Sequence, residues 1–176
     1  MLFAANNEAT YAFRMMATYL YGRQNLPPAL AEKVKASMGK IAFFRGTSEH
    51  EEVLYHAAVL LAAETWPDMD AEHWFNGKSS AENLSEAQSY VNQWVEALVT
   101  EGQYEFDAPQ FMPSFFAALA LLHEFTRDDE LRKKLRVALH VVMIDFAAEH
   151  MGGIYAGAQS RNAQSFALSP REAPSN

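Results

Sequence analysis

Residues 46–68 read GTSEHEEVLYHAAVLLAAETWPD, and this stretch decides the fold because it contains both ends of one long apolar helix. Ser48 stands three residues before Glu51, which is the spacing of a capping box at a helix N-terminus. Pro67 lacks an amide hydrogen and disfavours helical backbone in the residue before it. We therefore expect a helix over residues 48–65. Its apolar side chains recur at helical spacing and predict a buried face made of Val53, Leu54, Ala57, Leu60 and Leu61.

The first turn of this helix is crowded with ionisable side chains. Acids at this end complement the positive pole of the helix dipole, each by roughly 0.3–1 kcal/mol, and this capping role is the expected one for Glu51 and Glu52. A second interpretation rests on Glu49, Glu52 and His56, which are three and four residues apart and so project from one side of the helix. Two acids and an imidazole in line form a candidate proton-transfer group.

The composition narrows the class of protein. A chain of 176 residues with 49% hydrophobic residues is long and apolar enough for one globular domain. Its net charge of −8 disfavours nucleic acid and anionic membranes as partners. The absence of cysteine removes disulfides, thiolate catalysis and cysteine metal sites. We predict neither a membrane span nor a signal peptide, because no apolar run approaches the necessary length. The sequence does not indicate in which cellular compartment the protein works.

The rest of the chain shows the same helical periodicity. Gly22, Gly102 and the pair Gly152 and Gly153 end predicted helices, and prolines open two of them. Six helices without a convincing strand predict an all-α fold of successive antiparallel hairpins. We expect one domain over residues 1–168 and a loose polar tail over residues 169–176. The expected helices cover residues 8–21, 28–44, 48–65, 80–102, 113–125 and 129–151.

The sequence also predicts two local contacts, in the fourth and sixth helices, and the buried faces of the second and sixth helices. In the fourth helix, Ser80 is expected to be the cap, and in the sixth, Glu130 is expected to face Lys134 across one turn. The buried side of the second helix is predicted to contain Leu30, Val34, Met38, Ile41 and Phe44. The buried side of the sixth helix is predicted to contain Leu131, Leu135, Ala138, Leu139, Val142, Ile144 and Phe146.

Two segments resemble a known group of proteins. SEHEEVLYHAAVLLAAETWPD, residues 48–68, is similar to the T-E-N-H helix and the following W-P-D or F-P-D turn of large bacterial proteins of the α/α-toroid type. Residues 111–161, which end in GGIYAGAQSR, look like the later part of those proteins, where a G-V-Y-G-G-A-H-S-R turn is common. This chain departs from the group's pattern at His50, Glu51 and Gln159.

The resemblance implies an incomplete ring of helical hairpins, which is part of an α/α toroid. This architecture occurs in many polysaccharide lyases and glycoside hydrolases, so the implied partner is a carbohydrate. A complete toroid needs about twice as many helices as this chain supplies. The ring would therefore be completed by a second copy, as a homodimer, or by the remainder of a longer chain.

A lyase would need a base, an acid and a cation that holds the developing charge. Tyr155 and His50 can fill the first two roles, and the planar guanidinium of Arg161 suits a sugar carboxylate. The plainer interpretations are a packing aromatic for Tyr155 and a surface ion pair for Arg161. A hydrolase would instead need two carboxylates roughly 5–10 Å apart, for which Glu49 with Glu105 or Asp107 is the best available pair.

The aromatic residues of the long loop over residues 66–80 suggest a wall on which sugar rings stack, although such residues also anchor loops to a core. The histidines show no metal-ligand spacing, and no phosphate loop or nucleotide fingerprint is present, so we expect no metal and no cofactor. The leading hypothesis is a domain that binds or cleaves an oligosaccharide or polysaccharide, and the alternative is a non-catalytic helical binding or assembly module. The candidate catalytic residues are Glu49, His50 and Tyr155, and the candidate substrate-binding residues are Arg161, Glu52, His56, Trp66, Trp74, Tyr104 and Glu105.

Overall fold

The described part of the chain, which in this computed structural model is residues 8–40, 45–105 and 108–155, contains six α-helices, two short 3₁₀ helices (Arg23–Asn25 and Ala71–His73) and one short hairpin. The prediction of an all-α fold is confirmed. The strands β1 (His150–Met151) and β2 (Ile154–Tyr155) pair antiparallel around Gly152 and Gly153, both at positive φ, and were not predicted. The helices are α1 (Glu8–Gly22), α2 (Pro28–Lys40), α3 (Glu49–Thr65), α4 (Ser80–Thr100), α5 (Met112–Phe125) and α6 (Asp129–Ala148).

Helix α3 is the centre of the molecule. All of residues 53–64 are buried, and the helix packs on α1, α4 and α5. The sequence predicted one buried face, but small and apolar residues such as Ala58, Val59 and Ala62 continue around the helix. A helix that is apolar on all sides is enclosed by its neighbours instead of lying on the surface.

The other helices pack on each other in chain order. Helix α5 contacts α3 and α6, α6 also contacts α4, and α2 contacts α1. Only residues 126–128 join α5 to α6, and a connection this short between packed helices gives an antiparallel hairpin. None of the helices in the described ranges is long and apolar enough to cross a membrane.

The core predictions for α2 and α6 need correction. On α2 only Met38 and Gly39 are buried, while Leu30 is exposed. On α6, Ile144 is 69% exposed because the helix packs through the opposite face, formed by Leu131, Leu135, Ala138 and Val142. The predicted core residues Ile41 and Phe44, and the tail over residues 169–176, lie outside the described residues.

Two predicted local contacts are also wrong. The cap of α4 is Ser79, whose hydroxyl accepts a hydrogen bond from the Glu82 amide while Glu82 reaches back to the Ser79 amide. Glu130 pairs with Lys133 at 2.6 Å, and Lys134 instead donates to Asn92 on α4. In both cases the observed residue is one position away from the predicted one, because helix boundaries are uncertain by a residue or two and residues three and four apart are both neighbours on a helix.

The loop between α3 and α4 closes over the C-terminal end of α2. A Cβ atom built on Gly39 would overlap the carbonyl oxygen of His73 and touch the side chain of Met69. Glycine therefore permits the close approach of this loop to the helix.

Candidate functional site

The first turn of α3 begins with an unusual cap. Gly46, at φ 89°, turns the chain, and the Thr47 amide then donates to Glu51 Oε2 at 3.0 Å. The Ser48 hydroxyl donates to the same oxygen at 2.8 Å instead of accepting from the helix backbone. Burial raises the pKa of Glu51, but these hydrogen bonds outweigh burial and leave the pKa below its usual value. The hydrogen bonds of Glu51 agree with a capping role, but the capping box expected at Ser48 does not form, because the Ser48 hydroxyl donates to Glu51.

Glu105 lies far along the chain and binds the same helix end. Its carboxylate Oε2 accepts from the His50 amide at 2.9 Å and from His50 Nδ1 at 2.7 Å. A carboxylate only accepts hydrogen bonds, so the hydrogen of this pair is on Nδ1. The imidazole stacks on Phe111 with ring centroids 3.9 Å apart. Glu105, which is 4% exposed, therefore supplies a helix cap from outside the helix.

Glu49 is held from two sides. Its Oε1 accepts from the indole of Trp94 at 2.8 Å, and its Oε2 accepts from the Glu105 amide at 2.8 Å. These bonds and those of His50 connect the start of α3 to α4 and to the loop before α5. Two of the candidate catalytic residues, Glu49 and His50, thus meet the candidate substrate-binding residue Glu105, in contacts that fix the ends of helices.

A cavity of about 640 Å³ opens next to this network, and we call it the Tyr104 cavity. The Tyr104 ring is 95% exposed. The side-chain nitrogen of Gln103 is buried and has no hydrogen-bond partner among the described residues. The Glu52 carboxylate interacts with the Tyr90 hydroxyl, and burial followed by the charge of Glu52 raises the pKa of Tyr90. The lining residues are Thr47, Ser48, Glu49, Glu52, Tyr90, Trp94, Ala97, Glu101, Gly102, Gln103, Tyr104 and Glu105.

A second cavity of about 570 Å³ shares Tyr90 with the first, and we call it the His56 cavity. His56 is 3% exposed, its ring stacks on Tyr90 at 3.9 Å, and its Nδ1 has no partner within the described ranges. Burial, helped by the charge of Arg45, lowers the pKa of His56 to about 4, so the imidazole is neutral at pH 7. The remaining lining residues are Arg45, Lys78, Glu82, Ser85, Glu86, Ser89 and Gln93.

The charged groups of the His56 cavity were missed by sequence reasoning. Glu86 forms ion pairs with both Arg45 and Lys78, and Arg45 also lies over the Tyr55 ring at 5.4 Å. Arg45 precedes the turn into α3, and Lys78 ends the loop before α4. The sequence offers no signal for this group, because its members come from three separate segments.

Comparisons of the chain with protein-family models, curated proteins and solved structures gave no match. The evidence for a function is therefore the geometry of this chain itself. No group of three or more histidine, aspartate or glutamate side chains within residues 8–40, 45–105 and 108–155 is placed to hold a metal ion.

The two tryptophans of the long loop have structural contacts. The buried Trp74 donates to the Ser80 hydroxyl at 3.1 Å, which in turn donates to the Trp66 carbonyl at 2.6 Å. The Trp66 ring packs on Tyr19, with centroids 5.0 Å apart. These bonds tie the two ends of the loop together, and neither indole lines the Tyr104 cavity or the His56 cavity.

The C-terminal candidates are not part of either cavity in the described structure. Tyr155 is fully buried, and its ring stacks on Phe146 with centroids 5.7 Å apart and meets His150 edge-on. This is the packing role that the sequence offered as the plainer interpretation. Arg161 and Asp107 lie outside the described residues.

Proposed function

We propose that this chain binds an oligosaccharide, with the Tyr104 cavity as the principal site. The observation that carries the proposal is the almost fully exposed Tyr104 residue at the cavity of about 640 Å³ that Gln103 and Glu52 also line. An aromatic face suits the apolar face of a sugar ring.

The polar groups of the two cavities support a ligand that is rich in hydroxyl groups. Glu52 and Glu101 offer acceptors in the Tyr104 cavity. In the His56 cavity, the two cations Arg45 and Lys78 are matched by the two acids Glu82 and Glu86. This balance of donors and acceptors suits a neutral sugar better than a polyanion. Because Tyr90 lines both cavities, the His56 cavity would bind the next sugar unit along the chain.

The proposed architecture is the partial α/α toroid that the sequence resemblance implies. The order of helix contacts supports it, because α1, α3 and α5 pack side by side in chain order. Helices α2, α4 and α6 each pack on the odd-numbered helix that precedes them, and α4 also packs on α6. These contacts are the ones expected if α1, α3 and α5 form an inner layer and α2, α4 and α6 an outer layer.

Binding is better supported by the geometry than cleavage. Both carboxylate oxygens of Glu49 accept hydrogen bonds from the protein, and His50 Nδ1 is bonded to Glu105. If the chain also cleaves its ligand, as a lyase or a hydrolase, we propose Glu52 as the general acid or base. Glu52 lines the Tyr104 cavity and has the Tyr90 hydroxyl beside it.

The binding proposal is tested by screening oligosaccharides on an array and measuring the affinity of the best ligand by calorimetry. We expect Tyr104→Ala to weaken that affinity at least tenfold, which is about 1.4 kcal/mol. The melting temperature should stay the same because the ring contacts mostly water. The matched control is Tyr11→Ala, another exposed tyrosine that lines neither cavity, which should leave the affinity unchanged. Equal affinities for the wild type and Tyr104→Ala would rule out this site.

Cleavage is tested with the same ligands and with uronate-containing polysaccharides. Elimination produces new ultraviolet absorbance, whereas hydrolysis produces reducing ends without that absorbance. If the ligand binds but produces neither signal, the chain binds this ligand without cleaving it. If either signal is present, Glu52→Gln should abolish it while leaving ligand binding largely intact.

A further inference from the structure

Helix α6 has an apolar stripe on the side that faces away from the core. Val137, Val141, Ile144 and Ala148 are separated by four, three and four residues, so they share one face. Val137 is 49% exposed and Ile144 is 69% exposed, whereas the residues of the other face are buried. Among the described helices, α6 packs on α4 and α5, and these contacts leave Val137, Ile144 and Ala148 exposed and Val141 partly buried.

The charges of α6 are divided between its two ends. Residues 129–136 carry four cations and two acids, a sum of +2, whereas residues 143–149 carry two acids and no lysine or arginine, a sum of −2. Two copies of α6 lying antiparallel would place each basic end beside an acidic end. Antiparallel helices also place opposite dipole ends together.

We propose that α6 is the interface of a homodimer in which the apolar stripes of two copies pack antiparallel across a two-fold axis. The midpoint between Val137 and Ala148 lies between residues 142 and 143, so the axis passes close to Val141 and Ile144. Such an interface is self-complementary and closes after two copies. This inference does not depend on the proposed sugar ligand, because the stripe contributes to neither cavity.

The oligomeric state is tested by light scattering of the full chain. We expect a dimer for the wild type and a monomer for Ile144→Asp, with the same helical circular dichroism because Ile144 does not contribute to the core. The matched control is Leu30→Asp, another exposed aliphatic residue, which lies on α2 and should leave the dimer intact. A monomeric wild type, or a dimer that survives Ile144→Asp, would overturn the proposal.

The orientation is tested with single cysteines, since the chain has none of its own. Equivalent Val141 positions would be offset by about 4–5 Å along the paired helices, and equivalent Val137 positions by about 16 Å. A short bifunctional thiol reagent should therefore join Val141→Cys chains efficiently and Val137→Cys chains poorly. Equal cross-linking at both positions would indicate a parallel pair. If Val141→Cys is monomeric and its thiol does not react with a bulky reagent, the stripe is covered by other residues of the same chain. Either this result or equal cross-linking at the two positions would contradict the proposal.

Discussion

At the scale of single residues, His56 is the clearest case of a side chain whose chemistry is set by its surroundings. Its imidazole is enclosed by Tyr55 and Tyr90, and Nδ1 has no partner in the described part of the chain. The charged groups near the ring are Arg45 and Glu86. Burial disfavours the protonated form, so the pKa is lowered from 6.5 to about 4.

We expect this histidine to make the fold sensitive to acid. The unfolded chain takes up a proton at His56 below about pH 6.5, but the folded chain does so only near pH 4. The unfolded state therefore binds more protons between these values, and the free energy of unfolding falls as the pH is lowered through this range. The loss attributable to His56 is on the order of 3 kcal/mol.

The measurement compares urea unfolding of the wild type and of His56→Phe from pH 7 to pH 4. Phenylalanine keeps the stacking on Tyr90 but cannot take up a proton. Other groups titrate equally in both proteins, so the difference between the two stability curves isolates His56. Two curves that run parallel over this range would show that the imidazole is not held neutral by burial.

At the scale of elements, the helix ends were predictable because their signals are local. Pro67, the cap of α6, and the glycines after α4 and α6 act within a few residues of the ends they mark. The faces of α2 and α6 were not predictable in the same way. Periodicity identifies an apolar stripe, but Leu30 and Ile144 show that it does not identify which stripe the neighbouring helices cover.

Gly39 allows a test of how α2 is held to the rest of the fold. In an open helix, replacing glycine with alanine stabilises by up to about 1 kcal/mol. At Gly39 the added Cβ would overlap the His73 carbonyl, so we expect Gly39→Ala to destabilise by roughly 1–3 kcal/mol. The control is Gly22→Ala at the end of α1, where nothing lies within 4 Å and no destabilisation is expected. The stability of both variants is measured by thermal unfolding. If Gly39→Ala is as stable as the wild type, the loop is not packed on α2.

At the scale of the whole molecule, α3 is the helix on which three other helices pack. It contacts α1, α4 and α5 along its length, and its two ends are tied to distant segments. At one end Glu105 caps the helix. At the other end the buried Glu64 accepts from the Thr126 hydroxyl and the Arg127 amide, both at 3.0 Å. We infer that disrupting α3 unfolds the whole domain in one cooperative transition.

The corresponding prediction concerns Leu60, which is fully buried on α3. Leu60→Ala should reduce the free energy of unfolding by about 3 kcal/mol, because it leaves a cavity at the point where the helices meet. Tryptophan fluorescence and circular dichroism should still report one coincident transition. Leu30→Ala, at an exposed site on α2, should cost less than about 1 kcal/mol. Separate transitions for the two signals would show that α3 does not hold the domain together as one unit.

The sequence alone determined that the protein is helical, where most of its helices begin and end, and that α3 has an apolar face to bury. These properties follow from proline geometry, capping and periodicity, all of which act over one or two turns. Only the tertiary structure decided that Glu105 caps α3, that Arg45, Lys78 and Glu86 meet beside His56, and that Ile144 faces away from the core. These contacts join residues far apart in the chain, or depend on which faces neighbouring helices cover. They are therefore set by the path of the backbone, which no local pattern of residues specifies.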